Sequence, residues 1–226
     1  MKTFRLGQSA TFEMDAHWRI ESVARTLEYL EDFLPHAKDQ AFLRKRQELT
    51  SCKKRYEREE VEAELELMEL EWNGRFPAYF YGSLLVLLWG EIEAVIERFA
   101  AEIQSIKSVS LAFNDIRGRH AYNRLRKYVQ AILGVSVPEN STIEDLQFLR
   151  NLYAHHGGDI GSQSNARMKR IHEILRTYPG VSQSDTFIVV NAKYLEEAMD
   201  NVVSLIKALR DVHPSTEPGL VEIDRR

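Results

Sequence analysis

Apolar positions recur at helical spacing along almost the whole chain, and the strict alternation of a half-buried strand is nearly absent. Ile20, Val23, Leu27, Leu30 and Leu34 follow one another at spacings of three and four, which puts them on one stripe of a helix. Pro35 interrupts that helix or ends it, since its ring clashes with the preceding turn. A second long helical stretch runs from Ala37 to Trp72, with Val61, Leu65, Met68 and Trp72 lining one side near its end. A dense set of glutamates from Glu57 to Glu71 covers the rest and reads as a solvated face. The two stretches are expected to form an antiparallel hairpin, packed on the core or projecting as an arm for self-association.

Asn73-Gly74 is expected to break the helix, and Pro77 suits the first turn of a new one. The next helix runs to Ile106. Its first half is apolar nearly all round, and its second half is amphipathic through Ile92, Val95, Ile96, Phe99 and Ile103, as in a central helix with one end more exposed. A further helix spans Gly118 to Leu133. Ser141-Thr142-Ile143-Glu144 reads as a capping box with Ser141 as the cap. The helix it opens carries Leu146, Leu149, Leu152 and Tyr153 and closes at His155-His156-Gly157-Gly158, where glycine can take the left-handed conformation. Helices are expected again over Asn165–Tyr178 and, capped by Asn191, to Val212. Thr186 to Val190 is the one strand-like run. The predicted fold is therefore all-α: a helical bundle over residues 76–213, a long N-terminal helical hairpin over 1–75 and a loose tail over 214–226.

Composition narrows the function classes. At 44% hydrophobic and 28% charged, the chain can bury a core and lacks the signature of disorder. A net charge of −4 argues against binding nucleic acid through overall charge but leaves room for a local basic surface. Cys52 is the sole cysteine, which excludes an internal disulfide and a cysteine-rich zinc site. The opening MKTFRLGQSATFEMD lacks a long apolar stretch, and a cytoplasmic home with no membrane partner is the expectation. The most apolar run, Phe76 to Gly90, is shorter than a membrane span needs and reads as a buried helix.

Candidate chemistry gathers in Phe148-Leu149-Arg150-Asn151-Leu152-Tyr153-Ala154-His155. A fixed cation, an amide and an imidazole lie close to a helix end. At about 100° per residue, Asn151 and His155 are about 40° apart on one face, whereas Arg150 and His155 are about 140° apart. Arg150 and His155 converge if the arginine curls round, if the helix loosens, or if a second subunit completes the site. These residue types suit RNA cleavage without a metal. A 2′-hydroxyl must lose a proton, which a histidine of ordinary pKa about 6.5 can accept near neutrality. Charge then grows on the phosphoryl oxygens, where an arginine fork is well matched. Asn151 would orient the imidazole or the phosphate. Taken as spacing alone, the pair equally describes a surface arginine and a helix-capping histidine, and Arg167 to His172 repeats the pattern. No metal-ligand spacing and no phosphate-binding glycine loop is present, so neither metal nor cofactor is expected.

Arg-Asn-x-x-x-His in an apolar helix closed by a glycine pair resembles the signature of the HEPN superfamily. The upstream helix from Tyr79-Phe80-Tyr81-Gly82-Ser83 to Trp89-Gly90-Glu91-Ile92-Glu93 is similar to the first core helix of that family, with its serine and downstream glutamate. The resemblance covers Phe76 to Val212. It implies a core of four to five helices and a metal-independent endoribonuclease, often a toxin or antiviral-defence effector. His155 would be the general base and Arg150 the group that stabilises the transition state. It also implies a homodimer with the site at its interface, an RNA substrate, and an antitoxin or defence-system partner. Some members carry a tyrosine two positions after the histidine that a partner enzyme modifies; Gly157 stands there, which puts that control in doubt. Other members are non-catalytic helical interaction or RNA-binding modules, the alternative for this chain.

Arg117, Arg119, Arg124 and Lys127, with His156, are the candidate RNA contacts, since lysine and arginine bind phosphates. Tyr122 and Tyr128 lie among them as rings that could stack on bases. Arg167, Lys169, Arg170 and Arg176 form a second basic segment. The plainer reading of both is an amphipathic helix with a solvated basic face. His156 reads chiefly as a helix-end histidine, and Glu91 and Glu93 chiefly as solvated helix residues that could also orient the site.

Overall fold

Sustained 3.6-residue periodicity makes helices wherever it is unbroken. The computed structural model describes residues 8–51, 58–118 and 120–214. In chain order the elements are α1 (Gln8–Ser51), α2 (Arg58–Leu70), a π-helical turn (Glu71–Arg75), α3 (Phe76–Lys107), α4 (Ala121–Leu133), α5 (Ser141–His156), α6 (Asn165–Thr177), β1 (Val181–Ser184), β2 (Phe187–Val190) and α7 (Ala192–Asp211). The fold is all-α, with one small two-stranded sheet. The expected tail over 214–226 lies outside the described residues from 215 onward.

Two sequence expectations about helix ends are corrected. Pro35 does not end the first helix: α1 runs through it. A proline inside a helix costs about 3 kcal/mol, and here the apolar stripe continues past it. Val23 and Leu27 before it and Leu49 after it are buried, and half-buried Leu34, Ala37, Ala41 and Phe42 carry the stripe between them. Asn73-Gly74 does not break the second helix either. These poor helix formers are absorbed in the π-helical turn, where the Phe76 N–H bonds to Glu71 O. The extra residue rotates the covered face. Val61, Leu65, Met68 and Trp72 are half-buried, but the next positions on that stripe, Phe76 and Tyr79, are exposed, while Leu84, Leu85 and Leu88 carry the buried face onward. The continuous helix from Arg58 to Lys107 holds a window long and apolar enough, by length and composition, to cross a membrane; 44% of that window is buried inside the protein.

The chain divides into two compact units, and residues before 76 contribute to both. The first takes residues 1–22, 88–148 and 198–226. Its core is built from Trp89, Ile92, Ile96 and Phe99 of α3, Leu125 and Tyr128 of α4, and Val202, Ile206 and Leu209 of α7. Asp15 is held by Arg19 (3.1 Å) and Arg98 (2.5 Å). Burial alone would push its carboxyl up, but the two guanidinium bonds outweigh burial and keep it below the ordinary range. Glu91 bonds to Arg19 at 2.8 Å, so it belongs to this ion-pair chain. His213, for which the sequence shows no partner, is buried and bonds Glu102 through Nε2 at 3.0 Å.

The second unit takes residues 23–87 and 149–197. Lys38 bonds Asn73 at 2.8 Å and Lys45 pairs with Glu64 at 2.9 Å, so α1 and α2 lie antiparallel. The strands pair antiparallel with Val181 opposite Val190 and Ser184 opposite Phe187. The strand-like run is thus β2, while β1, Val-Ser-Gln-Ser, carries no apolar pattern to announce it. Asn191 caps α7 as expected, accepting the Tyr194 N–H at 3.2 Å.

Candidate active site

The candidate residues sit on α5, a helix that the sequence opens with a different cap from the one expected. Asn140, not Ser141, is the N-cap: its Oδ1 accepts the Ile143 N–H at 3.1 Å. Asparagine reaches the third helical N–H from outside the helix, and Ser141 is already the first helical residue. At the other end Gly157 (φ 59°) and Gly158 (φ 86°) are both left-handed, which glycine adopts without a Cβ penalty. The Gly157 N–H returns to Tyr153 O at 2.9 Å and the Gly158 N–H to Leu152 O at 3.3 Å, so the turn leaves the helix sharply after His156.

Tyr153 fixes this helix end to the hairpin. It is buried, its hydroxyl donates to Ile188 O at 2.6 Å and accepts the Val190 N–H at 3.2 Å. Burial pushes the phenol up to about 12, against a smaller downward pull from the Val190 bond. The chain beyond the glycines continues the same seam: the Ile188 N–H bonds Gly158 O at 2.9 Å and the Ile160 N–H bonds Thr186 O at 2.7 Å. From α3, Gly82 lies against the Tyr153 ring so closely that a Cβ there would stand 2.2 Å from Cε1. Sequence reading placed Tyr153 on the apolar face but not in this role. The signal was present in the small residue on α3 and the double glycine after α5.

On the anchored helix, the Arg150 guanidinium curls toward its neighbour. Its Nη1 donates to Asn151 Oδ1 at 3.0 Å. Both residues are partly buried, whereas His155 and His156 are exposed in the last turn. Asn151 therefore lies between the cation and the imidazole around the helix, about 100° from Arg150 and about 40° from His155. No hydrogen bond joins His155 to either residue among the described ones. Arg167 of the repeated pattern bonds Gln163 Oε1 at 2.8 Å on α6, and both it and His172 are exposed.

The candidate RNA contacts divide differently. Arg117, Arg124 and Lys127 belong to the first compact unit, and Arg150, Asn151, His155 and His156 to the second. Arg119 lies outside the described residues. Arg117 and Lys127 are exposed, with Lys127 Nζ donating to Arg117 O at 3.1 Å. Arg124 packs its guanidinium over the Phe113 ring, 4.9 Å from its centroid. The expectation that Tyr122 and Tyr128 could stack on bases is corrected: both are fully buried, their hydroxyls bonded to Pro138 O and Leu111 O. Helix α4 buries its apolar face, and these rings are part of that face.

Beside α5, within the second unit, is a cleft of about 510 Å³. Leu67, Leu70, Gly74 and Ala78 form one wall and Phe187, Ile188 and Val189 the other, with Tyr153 and Gly157 contributing from α5. Arg150, Asn151 and His155 do not line it. The helical angle agrees: Tyr153 is about 160° round α5 from His155. Among the described residues no group of three or more histidine, cysteine, aspartate or glutamate side chains gathers as a metal site would require. Comparison with protein-family models, with curated proteins and with solved structures finds no match to this chain.

Proposed function

We propose that the chain is a metal-independent endoribonuclease of the HEPN type, acting as a toxin or antiviral-defence effector in the cytoplasm. The observation that carries this reading is the Arg150 to Asn151 bond, which turns the fixed cation toward the face that Asn151 shares with the exposed His155. In the proposed reaction His155 takes the 2′-hydroxyl proton, the 2′-oxygen attacks the adjacent phosphorus, and the 5′-oxygen leaves with a proton. The products are a 2′,3′-cyclic phosphate and a free 5′-hydroxyl. Arg150 stabilises the charge that grows on the phosphoryl oxygens, and Asn151 holds the guanidinium in place. The proposed working form is a homodimer in which two motifs share one cleft and the second histidine protonates the leaving oxygen. Arg117, Arg119, Arg124, Lys127 and His156 are proposed RNA contacts, and a neighbour protein would mask the site as antitoxin.

The test is cleavage of single-stranded RNA in the presence of a chelator. Removing a general base lowers rates about 10²–10⁴-fold, so His155→Ala should fall in that range, and Arg150→Ala should fall about 10²–10³-fold as for an oxyanion donor. If both variants cut as fast as the parent, the site is misassigned. If chelator alone abolishes cutting by the parent, the mechanism is wrong.

A second reading, a non-enzymatic interaction module, is favoured by the large apolar side chains exposed on α1: Trp18 at 63%, Tyr29 at 73% and Phe33 at 58%. Stable protein partners in a pull-down, with no His155-dependent cleavage under any condition, would select it.

A further inference from the structure

We propose that the cleft of the second unit binds a purine nucleoside, guanosine being the best match, at a site separate from Arg150 and His155. Its volume of about 510 Å³ falls within the range of small-ligand pockets, roughly 300–1,000 Å³. The walls are apolar and aromatic. Tyr79, 53% exposed, and Phe187 line the cleft with the leucines of α2 and offer faces for a flat ring, while the buried Tyr153 ring lines it from α5. That ring is pinned by the Tyr153 bonds to the β2 backbone, so the cleft is preformed.

Polar groups at the rim select the ligand. The π-helical turn contributes Glu71 and Arg75, the end of β1 contributes Ser184 and the hairpin turn contributes Asp185. All four are exposed, and the Asp185 backbone carbonyl accepts the Gln183 side-chain amide at 2.8 Å, which leaves its carboxylate at the rim. Two carboxylates against one guanidinium leave the cleft net negative, which repels phosphate and disfavours nucleotides. A carboxylate instead accepts adjacent N–H donors in charge-assisted bonds. Guanine presents two such donors on its Watson–Crick edge and two adjacent acceptors, O6 and N7, that an arginine fork fits. Uracil offers a single ring donor and matches less of the set. A peptide strand is a poorer occupant, since the outer edge of β2 is already bonded to Gly158, Ile160 and Tyr153.

The same guanine chemistry is offered by the free nucleoside and by an unpaired base in RNA. The experiment is therefore a titration of the full chain with guanosine, uridine and a short single-stranded oligoribonucleotide carrying one guanine, read by nuclear magnetic resonance shifts and calorimetry. Guanosine is expected to bind saturably, at least tenfold tighter than uridine, with shifts at Tyr79 and Phe187. The double substitution Glu71→Gln and Asp185→Asn, isosteric at exposed positions, should weaken it at least tenfold. Ala78→Trp, checked for native circular dichroism, should abolish it by filling the cleft. If only the oligonucleotide binds, with the same response to the variants, the occupant is a base of RNA and the chemistry stands. If neither guanine ligand binds, if uridine binds equally, or if the isosteric double variant binds like the parent, the proposal is overturned. Binding is read without cleavage, so the result is independent of whether Arg150 and His155 cut RNA.

Discussion

Replacing Tyr153 by phenylalanine removes one oxygen and leaves the ring, and the structure allows its cost to be worked out. The hydroxyl serves two backbone groups at once, Ile188 O at 2.6 Å and the Val190 N–H at 3.2 Å. Ile188 and Val190 are 1% and 0% exposed, so water cannot replace the lost partner without opening the hairpin. A buried polar group left unpaired costs about 1–3 kcal/mol. Two such groups, less the desolvation that the missing hydroxyl no longer suffers, give an expected loss of about 2–4 kcal/mol. That is a large share of the roughly 5–15 kcal/mol that a domain typically has. Urea unfolding should show a lower midpoint at an unchanged slope, and amide exchange at Val190 should quicken. The same hydroxyl makes a pH prediction. Its pKa in the folded chain is raised to about 12 from an ordinary 10, so the proton is held more tightly in the folded state. The stability it contributes is complete below pH 10 and is lost as pH rises from 10 through 12. Tyr153→Phe should flatten that alkaline fall, leaving what Tyr81, Tyr122 and Tyr128, all raised chiefly by burial, contribute. A loss below about 0.5 kcal/mol, with Val190 protection unchanged, would show that Tyr153 does not anchor the hairpin; 0.5 kcal/mol is the usual scatter of neutral surface changes.

Two further predictions test the placement of α5. Gly82→Ala should destabilise by about 1–3 kcal/mol as overpacking does, because its Cβ would meet the Tyr153 ring at 2.2 Å; combining it with Tyr153→Ala should recover part of the loss, and full additivity would argue against direct contact. Asn140→Ala should cost about 1 kcal/mol as a lost cap, while Ser141→Ala should cost much less; the reverse order in thermal unfolding would restore Ser141 as the cap.

Apolar periodicity alone determined that this chain is helical, because a 3.6-residue repeat buries one stripe whatever lies opposite. Hence the ends of α3, α6 and α7 fall within one or two residues of where the pattern stops. The pattern also put Asn151 and His155 on one face, which follows from helix geometry. Tertiary packing decided what local chemistry left open. Pro35 and Asn73-Gly74 are local breakers, but both lie in helices that pair with each other through Lys38–Asn73 and Lys45–Glu64, and the chain passes through one and widens at the other. Tyr122 and Tyr128 look like stacking rings among arginines until α4 turns them inward. β1 owes its strand to a partner, not to its own side chains. The Arg150 to Asn151 bond and the cleft beside Tyr153 needed a side-chain conformation and elements from distant parts of the chain. Spacing along one helix can place residues on a face, but only three-dimensional packing decides which of them meet and what stands across from them.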